Sequence, residues 1–487
     1  MSLNFLDKAI IAVNPSAAPY IIQKREVVAQ YQSVTGKRRG RRSTASVANL
    51  EEVAQLPLAE QARYYDENFP VFKAANDELV KNVVSDGIKV NPTPKMLNGE
   101  PATDVAKQLK TAYNLFARHF CMDGRTDKTE FEQLTFRAFC RDGEAFNRIY
   151  NFGGHDFLTN VQLGFEPFEC DHVPADLTDP AKNIHRGFKL GKYNRTQGIY
   201  YNADPKGWSQ TPEFIPNGEF MHFANKNRLN SLRGFSQFAA SMGVVADSAN
   251  VQEATQLALK AATKITMVHK LGQDTNIAGL GGVEPPPMNI SFAHSNVLEI
   301  GKNDEIKVFE SSKGVGDTVR IIQDYHRQIV TSAGVSFSST TGIYDGSYSA
   351  QRQELIDTWA NYEVLRARFI AAIVRPCYEK FVNTLFIQNQ IKLPAGFDIS
   401  TLFDADFIGA VMPWIDPKKE AESLEILMDI GMLPLAYALA QRGFDITNIL
   451  NQYHQDRKLA KKLDLSDLLA LNRKVSNAQK GDEKNAA

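Results

Sequence analysis

A chain of 487 residues, 43% hydrophobic and 10% aromatic, is long enough for about three domains and apolar enough to bury a sizeable core. Its 55 Lys and Arg against 56 Asp and Glu leave a formal net charge of -1, which excludes a global positive field that would draw in nucleic acid or an anionic membrane. The four cysteines, Cys121, Cys140, Cys170 and Cys377, are too sparse and irregular for a disulfide framework or a paired metal clip, and fit a reducing cytoplasm.

No apolar run reaches the roughly 18 residues of a membrane span. The early stretch AIIAV follows Asp7 and Lys8 and lacks the pattern of an export signal, so a soluble, unexported protein with no membrane partner is expected. Residues 1–50 read as an N-terminal arm. Within it TGKRRGRRSTAS sets Lys37, Arg38, Arg39, Arg41 and Arg42 within six positions, a candidate basic arm. Five such charges fit a solvated loop or a salt-sensitive phosphate contact equally well.

From 51 to 150 helical spacing dominates. FEQLTFRAFCRDGEAFNRIY places Phe131, Leu134, Ala138 and Phe139 on one apolar face with Phe136 off register, breaks at Asp142-Gly143, and continues with strand character. Between 151 and 232 aromatics alternate with Gly, Pro and Asn turns, which predicts short strands and, without a βαβ rhythm, an α+β, predominantly helical fold. The alanine-rich run 233–270 contains no proline and predicts a long helix that Gly243 interrupts. Residues 271–315 carry Pro285, Pro286 and Pro287 with the short alternating strands NVLEI and EIKVF, a small β module. A second helix returns over 316–337, with Asp317 as its N-cap, Val319, Ile322, Tyr325 and Ile329 on one face, and an end near Gly334.

After the polar stretch 338–350, Leu355, Trp359, Tyr362, Leu365, Phe369, Ile373, Cys377, Phe381 and Leu385 form a helical stripe. Pro376 lies inside it and predicts a kink near Ala372. Beyond 415 the punctuation marks capped helices. Asp416 and Pro417 start one that Gly431 ends, Pro434 starts another closed by Gly443, and Asp445 starts a third; 471–487 reads as a disordered tail.

Catalytic signatures are missing. GFKLGKYN at 187–194 lacks the spacing and hydroxyl of a phosphate-binding loop, and the pairs His119/Cys121 and Cys170/His172 lack zinc spacing, so no cofactor, metal or catalytic residue is assigned. An enzyme is not expected.

Five strings carry a resemblance. RDGEAFNRIY (141–150) resembles a D-G-E-x-F strand entry, and MHFANKNRLNSLRGFSQFAAS (221–241) a His-x-Phe followed by Arg-Gly-x-Ser. TTGIYDGSYSAQRQELIDTW resembles a T-G-D-x-S-x-x-Y-S-S-x-R tract, WIDPKKEAES (414–423) a W-x-D-P-x-K-E-A signature, and PLAYALAQRGFDITNILNQYHQDRKLAKKLDL an R-G-x-D segment. All are similar, in the same order, to the lambda-type phage portal proteins. The resemblance implies a ring homo-oligomer, twelve subunits as the family suggests, at one capsid vertex of the virion and in the host cytoplasm during assembly. It implies a wing (51–232), stem helices (233–270 and 316–337), a clip (271–315), a tunnel loop (338–350), a kinked helix with the rest of the wing (351–415) and a crown (416–470).

The implied partners are further copies of the chain, the terminase large subunit, a head-tail adaptor, the major capsid and scaffolding proteins, and double-stranded DNA without sequence specificity. Ser338, Ser339, Thr340, Thr341, Tyr344, Asp345, Ser347 and Tyr348 would face the DNA, and Pro285, Pro286, Pro287, Asn296, Glu299, Lys302 and Asp304 would dock partners. The tyrosines fit either the channel or an anchor within their own subunit. Two other classes stand beside this one: a nuclease-type subunit of the packaging machinery, which requires clustered acidic metal ligands, and a non-phage oligomeric scaffold.

Overall fold

Two units make up the chain, Met1–Met242 with Val330–Ala487, and Gly243–Ile329. The computed structural model describes residues 46–154, 156–205, 211–264, 267–270, 305–308, 315–413, 417–440, 442, 444 and 446–462. The basic arm (Lys37, Arg38, Arg39, Arg41, Arg42), the docking residues Pro285, Pro286, Pro287, Asn296, Glu299, Lys302 and Asp304, the expected strand NVLEI, the caps Asp416, Gly443 and Asp445, and the tail lie outside those residues.

The larger unit opens with α1 (Val47–Asn68) and α2 (Pro70–Val83), which a proline starts at its first turn. Strand β1 (Lys89–Pro92) and α3 (Thr103–Phe116) follow, then α4 (Lys128–Asp142). The Asp127 side chain caps α4 by accepting from the Glu130 N–H at 2.8 Å. Phe131, Phe136 and Phe139 are buried along α4 while Leu134 is 47% exposed, so Phe136 belongs to the inward face and Leu134 does not. Gly143, at φ 95°, ends the helix and feeds β2 (Glu144–Asn151).

The strands that follow are short. β3 (Leu163–Phe168) and later β8 (Phe220–Ala224) flank β2 antiparallel in the order β3-β2-β8. Between them β4 (Ile184–His185), β5 (Phe188–Leu190), β6 (Thr196–Tyr201) and β7 (Glu213–Pro216) make an antiparallel meander. Phe146 and Phe168 of the first sheet join Phe188, Ile199 and Ile215 of the second in one buried cluster. Alternation fixes which strand residues reach that core.

Residues 233–241, expected as helix, instead form turns packed into this interior, with Arg233 and Phe238 fully buried. Helix α5 therefore begins at Met242 and ends at Lys264, and 267–270 forms β9 (Met267–Lys270), paired antiparallel with β10 (Glu305–Val308). The chain returns through α6 (Val315–Ala333), which puts Asp317 inside the first turn rather than at the N-cap. Gly334 at φ 74° ends α6, as the sequence predicts.

The expected loop 338–350 is only partly a loop. α7 (Phe337–Thr341) occupies its start, and α8 (Tyr348–Phe369) begins before its end. α8 continues through a π turn, Ile370–Val374, into α9 (Arg375–Ile387). The π turn contains Ala372, where the kink is expected; a wider turn there relieves the bond that Pro376, lacking an N–H, cannot make. Every residue of the predicted stripe except Leu355 is buried. Phe369 packs edge-on against Phe136, and Phe381 stacks on Phe116 at 5.1 Å. Strand β11 (Ala405–Ile408) pairs with β1, and α10 (Pro417–Asp429), α11 (Leu435–Ala440) and α12 (Ile446–Lys462) complete the described chain. Gly431 at φ 73° follows α10, as the sequence predicts.

Candidate functional site

Two arrangements position the functional segments. One is a buried charge network that joins two of the sequence strings, 141–150 and 221–241. Glu144, at the start of β2, is fully buried, and its Oε1 lies 2.6 Å from the guanidinium of the equally buried Arg233. Gln55 of α1 donates to the same oxygen at 3.0 Å, while Oε2 takes His222 Nε2 at 2.9 Å and the Gly234 N–H at 3.1 Å. Arg233 also donates to the carbonyls of Val173 and Cys170, both at 2.9 Å, and of Arg186 at 3.2 Å. Glu51 accepts from the backbone of Leu232 and Arg233 and pairs with Arg186 at 2.6 Å. Next to it, Arg63 bridges Asp142 and Asp171. A buried charge is tolerated only when its lone pairs and protons are matched, a condition that Glu144 and Arg233 meet.

Burial pushes the Glu144 carboxyl up, but Arg233 and His222 outweigh it and bring it down to about 2. Burial pulls His222 below its ordinary 6.5, so at neutral pH it donates as a neutral imidazole. Below pH 6.5 the unfolded chain takes up the imidazole proton first, and below 4.5 it takes up the Glu144 proton first; both remove stability as pH falls. Glu51, raised by burial, acts with the opposite sign above 4.5. Urea midpoints measured in pH steps should therefore drop steeply below about 4.5, and His222→Gln should flatten the profile between 6.5 and 5 relative to the parent. Identical profiles for parent and variant would refute the neutral buried imidazole.

The second arrangement is the segment 336–354. Ser336 caps α7, accepting from the Ser339 N–H at 3.2 Å and donating its hydroxyl to Glu354 at 2.8 Å. Ser338 binds the same carboxylate through its N–H and its hydroxyl, at 3.1 and 2.7 Å. Burial pushes Glu354 up, yet these hydroxyl and amide donors hold it below the ordinary carboxylate value. Thr340 and Thr341 donate to the carbonyls of Ser336 and Phe337. Three of the five serine and threonine hydroxyls predicted to face DNA, those of Ser338, Thr340 and Thr341, are thus committed to hydrogen bonds within the subunit. Ser339 is half-buried. Ser347 caps α8 through Ala350, while Tyr344, at 61%, Asp345 and Tyr348 stand exposed. Glu354, Glu51, Gln55 and Arg186 are absent from the sequence-based site; the signal for the first was a carboxylate beyond a hydroxyl cluster.

Arg366, on the partner face of α8, donates to the carbonyls of Asn82 and Val83 at the end of α2, at 2.6 and 3.1 Å. This locks the long helix to the first helices of the unit. His172 Nδ1 lies 2.7 Å from the Asn202 carbonyl, and all four cysteines are buried and free. Among the described residues no group of three or more His, Cys, Asp or Glu could hold a metal ion, and no helix is long and apolar enough to cross a membrane.

In the smaller unit α5 and α6 meet where Gln252 Nε2 approaches His326 Nε2 at 3.5 Å. Leu257 (58%) and Leu259 (42%) of α5, and Val319 (50%) and Ile321 (46%) of α6, are exposed. Of the predicted face, Ile329 is buried and Val319 exposed.

The model of the phage portal proteins, lambda family, matches residues 35–366. The chain belongs to that family. Its role is that of a portal, the connector of a phage head. Portal protein B of Escherichia phage lambda is 22% identical over 453 residues, covering 79% of this chain and 83% of the relative. Among solved structures, a chain in the virion of a native gene transfer agent particle aligns at 10% identity with a TM-score of 0.49, covering 80% of this chain and 93% of that one. A chain in the neck of the native particle, computed with C12 symmetry, aligns at 10% identity and a TM-score of 0.49, covering 78% and 91%. In this portal protein the D-G-E string and the string that carries both His-x-Phe and Arg-Gly meet in one buried network.

Proposed function

We propose that copies of this chain close into a ring of twelve at one capsid vertex, a structural conduit through which double-stranded DNA is packaged and later ejected. The unit Gly243–Ile329 supplies the stem and the 271–315 segment the clip, on which the terminase large subunit docks during filling and the head-tail adaptor afterwards. Capsid and scaffolding proteins meet the wing, and 342–348 faces the channel.

The observation that carries this reading is the apolar surface of the smaller unit. Its two helices leave Leu257, Leu259, Val319 and Ile321 open to solvent, and from 256 to 260 every side chain is exposed. Helices that bare such residues gain stability when the same unit of a neighbouring copy covers them, and a head-to-tail contact repeated by rotation closes a ring. The exposed part of the channel segment suits a conduit. It offers Tyr344, Asp345, Ser347 and Tyr348 and no Lys or Arg, so phosphates pass without being gripped.

The test combines particle mass with packaging. Purified protein should sediment as one closed oligomer, and a monomer under all assembly conditions would refute the ring. Asp345→Lys should leave that oligomer intact but cut nuclease-protected DNA by about tenfold or more, since a circle of added cations holds the backbone. The defect should ease as salt rises. Unchanged packaging would remove 342–348 from the channel.

A further inference from the structure

The string GFKLGKYN, which lacks the spacing of a phosphate-binding loop, forms strand β5 and most of the turn into β6, and has no part in the portal function above. Its charge is lopsided. Between Asp179 and Asp204 the sequence holds Lys182, Arg186, Lys189, Lys192 and Arg195 and no Asp or Glu. Lys182 pairs with Asp179 and Arg186 with Glu51, whereas Lys189, Lys192 and Arg195 form no ion pair among the described residues. Glu213, on the neighbouring strand β7, is taken by Arg148. Two of the three surplus cations rest on rings instead. Lys189 Nζ lies 5.3 Å from the centre of the Phe214 ring, and Lys192 Nζ 4.9 Å from that of Tyr193, contacts that leave the ammonium charge unneutralised.

The turn displays these groups at a cost. The Arg195 N–H closes it on the Lys192 carbonyl at 3.3 Å, and the Gly191 N–H binds the Arg195 carbonyl at 2.7 Å. Both central residues take positive φ, Tyr193 at 62° and Asn194 at 57°, the pattern of a type I′ hairpin turn. Asparagine accepts that conformation, and tyrosine is strained in it. Tyr193 is also 89% exposed and makes no hydrogen bond or ring stacking among the described residues. Lys192, Asn194 and Arg195 beside it are exposed as well. A large side chain that strains its turn and buries so little of itself is placed for a partner.

That partner is anionic. A protein face of such charge also needs an apolar centre to its contact, which Lys192, Asn194 and Arg195 around a single ring do not supply. Phosphates need none. Lys, Arg, Asn and Tyr side chains are the groups that hold a nucleic-acid backbone, and a two-stranded antiparallel ribbon fits the major groove of a duplex. From Lys189 to Lys192 the chain advances about 10 Å, the axial rise of about three phosphates on one strand.

We infer that the β5–β6 ribbon grips the backbone of duplex DNA without reading its sequence. This contact goes beyond the passage of DNA along 342–348, which offers no Lys or Arg; a grip suits duplex at rest rather than in transit.

The test is anisotropy of a labelled mixed-sequence duplex of about 30 base pairs, read between about 50 and 200 mM salt. The full chain carries Lys37→Gln, Arg38→Gln, Arg39→Gln, Arg41→Gln and Arg42→Gln, which silence the basic arm, and is the parent for the variants. Saturable binding is expected. Lys192→Gln with Arg195→Gln should weaken it about tenfold or more at the lower salt and reduce the slope of log affinity against log salt by about 2. Tyr193→Asn separates partner from fold. It should keep or raise the urea midpoint, because Asn accepts positive φ, while weakening DNA binding about threefold or more. An equal loss from Lys81→Gln with Lys107→Gln, exposed cations of α2 and α3, would reduce the effect to a general field and overturn the site. Tyr193→Asn that lowers the urea midpoint and leaves binding intact would return the ring to the fold and overturn its part in the grip. A parent that leaves the duplex unbound overturns the inference in favour of an acidic protein. Because affinities are compared at equal oligomeric state, any of these failures leaves the ring itself standing.

Discussion

Glu144→Ala is expected to cost about 3–5 kcal/mol, enough to leave most of the chain unfolded or aggregated at 37 °C, because it removes one half of a fully buried ion pair. The Arg233 guanidinium keeps its carbonyl partners but loses the carboxylate paired with it, and it cannot shed its own charge. Glu144→Gln should cost nearly as much. All four groups around the carboxylate donate: Arg233, Gln55, His222 and the Gly234 N–H. An amide presents one acceptor and one donor, so its NH2 meets donors whichever way it is turned. Glu213→Ala is the control, since Glu213 pairs with Arg148 while 54% exposed and should cost less than about 1 kcal/mol. Urea midpoints of the three variants decide the matter. A loss under about 1 kcal/mol for Glu144→Ala would mean that the network is ornamental.

The helices were readable where local chemistry decides. Gly143, Gly334 and Gly431 take positive φ at helix ends, and the buried stripe from Trp359 to Leu385 follows its spacing through the π turn. The reading failed at 233–241, where alanine content and the absence of proline favour helix. The backbone there is held instead by distant acceptors: the Arg233 N–H is bound by Glu51, 182 positions away, and the Gly234 N–H by Glu144, 90 away. No window along the chain contains those partners, and tertiary bonds override propensity. Phe136 was misjudged for a related reason. A face drawn through Phe131 and Leu134 differs by one helical position from the real one, which Thr135, Phe136, Phe139 and Asp142 share.

The candidate site was legible as a segment and not as a geometry. A hydroxyl-rich stretch before a long helix reads equally as a free loop or as a cap, and only the position of Glu354, one turn and a half into α8, selects the cap. The hydroxyls of Ser338, Thr340 and Thr341 are occupied for that reason, which shifts the exposed chemistry to Tyr344, Asp345 and Tyr348. The resemblance strings were legible as strings, but their purpose was not. Asp142-Gly143-Glu144 and Arg233-Gly234 bind each other, which spacing along the chain cannot express.

Gly143→Ala is the other substitution with a large expected effect, and it separates backbone strain from crowding. Gly143 sits at φ 95°, where an added Cβ costs about 1–2 kcal/mol by itself. That Cβ would also fall 2.2 Å from the Phe235 carbonyl carbon and 2.5 Å from the Ser236 nitrogen, both backbone atoms of the turn that carries Arg233. Gly234 approaches from the other side, its own missing Cβ 2.1 Å from the Gly143 oxygen, so neither strand of this crossing can retreat. Gly99 provides the comparison, with φ 83° and nothing within 4 Å of its Cβ. Gly99→Ala should lose only the strain term and still assemble, whereas Gly143→Ala should push the turn outward, pull Arg233 off Glu144 and yield no soluble oligomer. Equal urea midpoints for the two variants would show that the crossing gives way, and that close backbone contact at 143 and 234 is not what holds Glu144 against Arg233.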